Sequence, residues 1–200
     1  MSNTSRRNFL QKAGLAAASF YIVPRHVLGK GYTAPSDKLN IMGVGGGGKG
    51  YSDIMNSYNK GAENIVAIVD VDDRQIVRIK KDLPKANYYR DFRAALDKEG
   101  SNVDAVIVST PDHTHATIAM EAMRRKKHVY VQKPLTHDIY EARILGEKAR
   151  EMQVVTQMGN QGSSGDGVRK MMEWFDGGAI GKVKEVYVWT NRPVWPQGIA

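Results

Sequence analysis

From Gly43 to Gly50 the chain reads Gly-Val-Gly-Gly-Gly-Gly-Lys-Gly, a stretch with almost no side chains to keep a ligand away from its backbone amides. Such a stretch suits a phosphate. Two Gly-x-Gly-x-x-Gly registers fit, Gly43/Gly45/Gly48 and Gly45/Gly47/Gly50, and an apolar run of strand length precedes only the second. In that register Gly45 makes the tight turn, Gly47 admits a pyrophosphate and Gly50 lets the following helix pack closely on the sheet. The helix amino terminus then faces the phosphate charge, with Gly48 and Lys49 beside it. Asp70 lies 25 residues after Gly45, at the end of the second apolar run, where its carboxylate accepts from ribose hydroxyls and repels a 2′-phosphate. A glycine run alone also makes a flexible loop. The strand before it, the helix after it and the acid beyond it point instead to a dinucleotide. Asp72 and Asp73 read as turn and helix-cap residues.

Two further groups follow apolar runs. Thr110-Pro111-Asp112-His113-Thr114-His115 comes after residues 103–109, at the end of an expected parallel strand, where open sheets of this kind bind ligands. His113 and His115 have metal-ligand chemistry, but His-x-His at a helix start sends the rings apart and no third ligand is near, so no metal is expected. Asp112 or Thr114 also suits a helix cap. Lys133 follows residues 128–131 and precedes Pro134, again at the ligand-facing edge. Taken by itself, a lysine there is either solvated surface or a cation aimed at substrate. Cysteine is absent, which excludes disulfides, thiolate nucleophiles and zinc-thiolate sites.

These groups need a frame. Short Val/Ile-rich runs at 39–44, 65–69, 103–109, 128–131 and 154–158, with a weaker one at 86–89, alternate with amphipathic stretches at 51–58, 73–83, 92–98, 115–125 and 139–152. That alternation predicts an α/β fold: a Rossmann-type, doubly wound parallel sheet with helices on both faces, over residues 38–159. After Met158 the pattern changes to a polar loop, a helix at 168–175 and an alternating run at 183–190 that reads as a strand with one wet face. Residues 160–200 are therefore expected to open a second, substrate-binding α/β domain with a mostly antiparallel sheet.

In order and spacing these motifs resemble the Gfo/Idh/MocA family of NAD(P)-dependent sugar oxidoreductases, over roughly residues 38–195. The family's Thr-Pro-Asn-x-x-His stretch is matched with Asp112 for Asn, and its Glu-Lys-Pro triplet with Gln132 for Glu. The resemblance implies NAD as cofactor, held by Gly45, Gly47, Gly48, Lys49, Gly50, Asp70, Thr110, Pro111, Asp112, His115, Gln132, Lys133 and Asn160. It implies that Lys133 assists catalysis beside the nicotinamide, and that the acid/base histidine comes from beyond Ala200. Residues 157–161 and 189–195 are similar to an exported subgroup of the family. The implied activity is hydride transfer between NAD and a hydroxyl-bearing carbon of a sugar or cyclitol, in a homo-oligomer when full length. Two alternatives stay open: a glycosidase that oxidises its substrate transiently on a retained NAD, and a non-catalytic NAD-binding module.

Charge excludes one class of partner. Of the 29 Lys and Arg residues, Arg6, Arg7, Lys12, Arg25 and Lys30 lie in a first segment without acids, and the rest of the chain carries 24 basic against 21 acidic residues. So small an excess, spread along the chain, gives no basic face for nucleic acid. Arg6-Arg7-Asn8-Phe9-Leu10 ahead of the apolar run 13–23 resembles a twin-arginine signal, with residues 1–37 as signal and linker; the alternative is a basic amphipathic helix. Eleven apolar residues are too few for a permanent anchor in a bilayer that takes about 20 in helix. The expected location is the periplasm. Replacing Arg6 and Arg7 together by lysine is expected to hold the protein in the cytoplasm; fractionation that still finds it in the periplasm would refute the signal.

Overall fold

The computed structural model describes residues 37–189. The twin-arginine segment and residues 190–200 lie outside the described residues. The apolar runs form six strands, β1 (Asn40–Val44), β2 (Asn64–Val69), β3 (Asn87–Tyr89), β4 (Ala105–Val108), β5 (His128–Gln132) and β6 (Thr156–Gly159). Every pairing is parallel, in the order β3-β2-β1-β4-β5-β6. The order reverses between β1 and β4, which is the doubly wound arrangement.

Parallel strands need crossovers, and the amphipathic stretches supply them: α1 (Gly48–Tyr58), α2 (Val77–Asp82), α3 (Phe92–Glu99), α4 (His115–Arg124) and α5 (Ile139–Met152). Strand alternation divides the core in two. Met42, Val44, Val106, Val108, Val129 and Val131 point to one face, against α3, α4 and Leu145 of α5. Ile41 and Ile107 point to the other, against Ile54 of α1 and Ile79 of α2. The pairing of β2 with β1 skips Val66, since Ile41 sits opposite Ile65 and Met42 opposite Ala67. That bulge puts Ile65 and Ile68 on the same face although they stand an odd three positions apart.

Helix boundaries follow side-chain chemistry. Helix α5 begins where the Asp138 carboxylate accepts from Glu141 N at 2.8 Å while Glu141 Oε2 accepts from His137 N at 2.9 Å, a reciprocal cap. Asp91 caps α3 by accepting from Arg93 N at 2.8 Å. The helix expected over 73–83 starts only at Val77, because the Asp72 carboxylate accepts from Arg74 N at 3.0 Å and holds the preceding residues in a turn. Asp73 therefore caps nothing; it pairs with Arg90.

The contacts divide the chain at Gly159/Asn160 into two compact units. The second contains α6 (Asp166–Asp176), whose Val168, Met171, Met172 and Phe175 form a stripe at helical spacing and are all exposed among the described residues. The strand expected over 183–190 is not formed: residues 183–189 have no regular structure. The alternating pattern is present but no partner strand pairs with it, and an unpaired strand leaves its backbone ladder unmade. Among the described residues no helix is long and apolar enough to cross a membrane.

The glycine turn makes the fold sensitive to single methyl groups. A Cβ on Gly50 would lie 1.9 Å from Gly45 O and 3.2 Å from the Ser109 side chain, whereas one on Gly48 meets nothing within 4 Å and faces only the strain of φ +48°. Gly50→Ala is expected to cost about 3 kcal/mol or more and Gly48→Ala about 1 kcal/mol, read from denaturation midpoints. Equal losses would contradict the packing described.

Candidate functional site

Because all six strands are parallel, their carboxyl ends share one edge, and the chain places Gly45, Asp70, Ser109 and Lys133 there, immediately after β1, β2, β4 and β5. A cleft of about 540 Å³ opens at this edge, lined among others by Gly45, Gly47, Gly48, Asp70, Thr110 and Pro111. It lies beside the β1/β4 reversal, where such sheets take ligands.

The glycine turn is tightly specified. Gly45 has φ +90°, its N donates to Val69 O at 2.8 Å, and a Cβ on it would lie 2.5 Å from Ser109 O. Helix α1 then starts with no acid in its first turn and no side-chain cap, which leaves its first N–H groups available to an anion. This is the second of the two glycine registers. Gly43, from the first, is also required: a Cβ there would lie 2.3 Å from Ile54 Cδ1, so it serves the packing of α1 on β1. Lys49 does not extend into the cleft; its ammonium pairs with Asp53 on the same helix.

Asp70 serves the turn as well as the cleft. Its Oδ2 accepts from Gly46 N at 2.9 Å and its Oδ1 from Asp72 N at 3.0 Å. Beyond it Arg74 grips Asp72 through both carboxylate oxygens, Nε at 2.9 and 3.1 Å and an Nη at 2.8 Å. These hydrogen bonds hold the Asp72 carboxyl down to about 2, so the pair stays ionised at ordinary pH.

Thr110 and Pro111 line the cleft, and Asp112 opens the exposed turn Asp112–Thr114. Thr114 Oγ1 lies 2.7 Å from Thr110 Oγ1 and 2.8 Å from Pro111 O, which fixes this loop from within. The two histidines have separate surroundings. His113 is exposed, whereas His115 is wholly buried, with Nδ1 2.7 Å from Pro134 O and Nε2 2.8 Å from Thr110 O. Each ring nitrogen thus faces a backbone carbonyl, and His115 ties the loop after β4 to the turn after β5 from beneath the surface.

Gln132 is also buried, whereas Lys133 is exposed and its ammonium pairs with no carboxylate among the described residues. Asn160 belongs to the second unit, where its carbonyl accepts from Ser163 N at 3.0 Å. One residue of this region escapes the sequence reading. Asp53, 7% exposed on α1, accepts from Ser109 Oγ and Gln132 Nε2, each at 2.8 Å, and from Lys49. The sequence carries no sign of it beyond the four-residue spacing to Lys49, an ordinary surface pattern.

Comparison with known proteins agrees with this geometry. A profile for an oxidoreductase family with an NAD-binding Rossmann fold matches residues 38–160. A glycosyl hydrolase family 109 protein of Shewanella baltica is 31% identical over 166 residues, 70% of this chain and 36% of that protein. A myo-inositol 2-dehydrogenase of Thermotoga maritima is 26% identical over 132 residues, 66% of this chain and 39% of that protein. The crystal structure of myo-inositol 2-dehydrogenase from Lactobacillus plantarum superposes with a TM-score of 0.66 at 25% identity, covering 73% of this chain and 43% of that one. The chain thus spans less than two fifths of the length of these two curated relatives.

With the Asp70 side chain lining the cleft and Arg74 paired with Asp72, NAD is expected to bind more tightly than its 2′-phosphorylated form. Asp70→Asn removes the charge while keeping an acceptor for the turn, and should narrow the preference about tenfold, equivalent to about 1.4 kcal/mol. Titration calorimetry showing equal affinity for both nucleotides in the unaltered protein would refute the assignment.

Proposed function

The chain belongs to the Gfo/Idh/MocA family of oxidoreductases with an NAD-binding Rossmann fold, and on that premise we propose that the full-length protein moves a hydride between NAD and a hydroxyl-bearing carbon of a sugar or cyclitol. The observation that carries this reading is the exposed Lys133, without an ion-pair partner among the described residues, at the same sheet edge as the glycine turn and Asp70. NAD, when bound, supplies the hydride acceptor or donor. The protein's part is to hold the two carbons in line and manage the hydroxyl proton.

In this reading the open first turn of α1 meets the pyrophosphate, with Gly47 and Gly48 at closest approach and Gly45 and Gly50 setting the turn. The Asp70 carboxylate, with lone pairs to spare beyond its two backbone donors, meets the adenosine ribose. Thr110, Pro111 and Asp112 border the path toward Lys133, and Asn160 follows the last strand. The Lys133 ammonium hydrogen-bonds the reacting hydroxyl and favours the developing alkoxide over the neutral alcohol, a difference that lowers the barrier instead of merely tightening binding. Gln132 and His115 act through the backbone they hold. The location proposed is the periplasm, reached through the twin-arginine segment, and the partner is a small carbohydrate.

A second reading is favoured by the family 109 glycosyl hydrolase relatives: transient oxidation of a sugar ring hydroxyl on a retained NAD, elimination of the aglycone, and reduction of the ring. Release of aglycone by the purified full-length protein, with no net formation of NADH, would select it. In either chemistry, Lys133→Met in the full-length protein is expected to lower kcat by about a hundredfold, with NAD affinity changed only a few-fold. A variant with near-normal kcat would return Lys133 to solvated surface.

A further inference from the structure

We propose that Asp53 is a positioning residue for Lys133, and that position 132 must be an amide because Gln132 relays Asp53 to the Lys133 backbone. The relay starts from a carboxylate that is buried on α1 and lies 79 residues from Gln132 in sequence. Its Oδ2 accepts from Gln132 Nε2 at 2.8 Å and from Ser109 Oγ at 2.8 Å, and its Oδ1 accepts from Lys49. The other end of the Gln132 side chain, Oε1, accepts from Lys133 N at 3.2 Å. One carboxylate thus joins the helix that follows the glycine turn to the ends of β4 and β5, and the residue held last in the series is Lys133.

The chemistry at each end fixes the identity of residue 132. Asp53 accepts from all three of its partners, Lys49, Ser109 Oγ and Gln132 Nε2, so the group facing it from position 132 must donate. The Lys133 N–H only donates, so the group facing it must accept. An amide is the side-chain group of this length that does both, and turning it over would set its oxygen against the Asp53 carboxylate. A glutamate at 132 would still accept from Lys133 N, but it would place a second carboxylate against the first in a site closed to water. A methionine would leave the Lys133 N–H and part of the Asp53 carboxylate without protein partners. Asp53 touches neither the cleft nor the reacting carbon; it acts on the turn that carries the lysine.

The importance of this relay for catalysis rests on the role proposed for Lys133, but the relay itself is read without turnover. On the full chain, Q132E, D53N and the exchanged pair D53N/Q132E are compared by thermal melting and by residue-resolved hydrogen exchange. Q132E is expected to speed exchange of the Lys133 amide at least about tenfold relative to the Val129 and Val131 amides of the same strand. D53N/Q132E restores donor and acceptor in reversed order, and should recover most of both the exchange protection and the melting temperature. A Q132E chain too unstable to purify beside a folded D53N/Q132E chain is the same result in stronger form. The proposal is overturned if the exchanged pair is no better than Q132E, if neither folds, or if Lys133 exchange rises no more than that of Val129 and Val131. Unchanged hydride transfer by a full-length Q132E protein whose Lys133 amide has lost its protection would instead count against the Lys133 reading alone.

Discussion

The approach of Gly50 to the Gly45 carbonyl is the contact on which the site depends. With no Cβ between them, the first turn of α1 settles directly on the end of β1 and against Ser109. That closeness lets Asp53, one turn further along, reach the ends of β4 and β5 and be buried there, and it lets Ile54 fill the space above Gly43. The same placement leaves the helix amino terminus open toward the cleft. Turn, helix and buried carboxylate are therefore one arrangement, and a side chain at position 50 would disturb all three.

Much of this was legible because parallel sheets leave strong marks. The four central strands, β2, β1, β4 and β5, are mostly buried, so their β-branched runs stand out, and the residues following them fall on one edge by topology alone. Helix α5 was readable as an amphipathic stretch over 139–152, and the cap formed by Asp138 and Glu141 sets its start where that stretch begins. Where local chemistry competes with a neighbour the reading held only in part. Asp72, read as a turn residue, holds a turn, whereas Asp73, read as a helix cap, reaches Arg90. The run over 183–190 has the alternation of a strand, but pattern supplies no partner. Asp53 was illegible for a different reason: its meaning lies in contacts 56 and 79 residues away, which no spacing records.

Several residues at the ligand edge are engaged in holding the protein itself. Asp70 binds two backbone amides of the loops it faces, His115 spans two carbonyls, and Lys49 turns inward to Asp53. A sequence motif records such residues and those that meet a ligand alike. Burial marks some of them: His115 and Gln132 lie under the surface, whereas Lys49 and Lys133 are both exposed and differ in that Lys49 pairs with Asp53. The loops that form the cleft are thus braced from beneath, so that ordering them does not fall wholly on the ligand when it arrives.

The extra residue in β2 also bears on where the strand delivers the residue that follows it. Omitting Val66 from the register, Ile65, Ala67, Ile68 and Val69 alternate strictly between the two faces, so the strand is regular apart from one inserted position. The bulge resets the phase between the entry of β2 and its exit, so that Val69 faces the core and the next residue, Asp70, meets the Gly46 amide of the glycine turn.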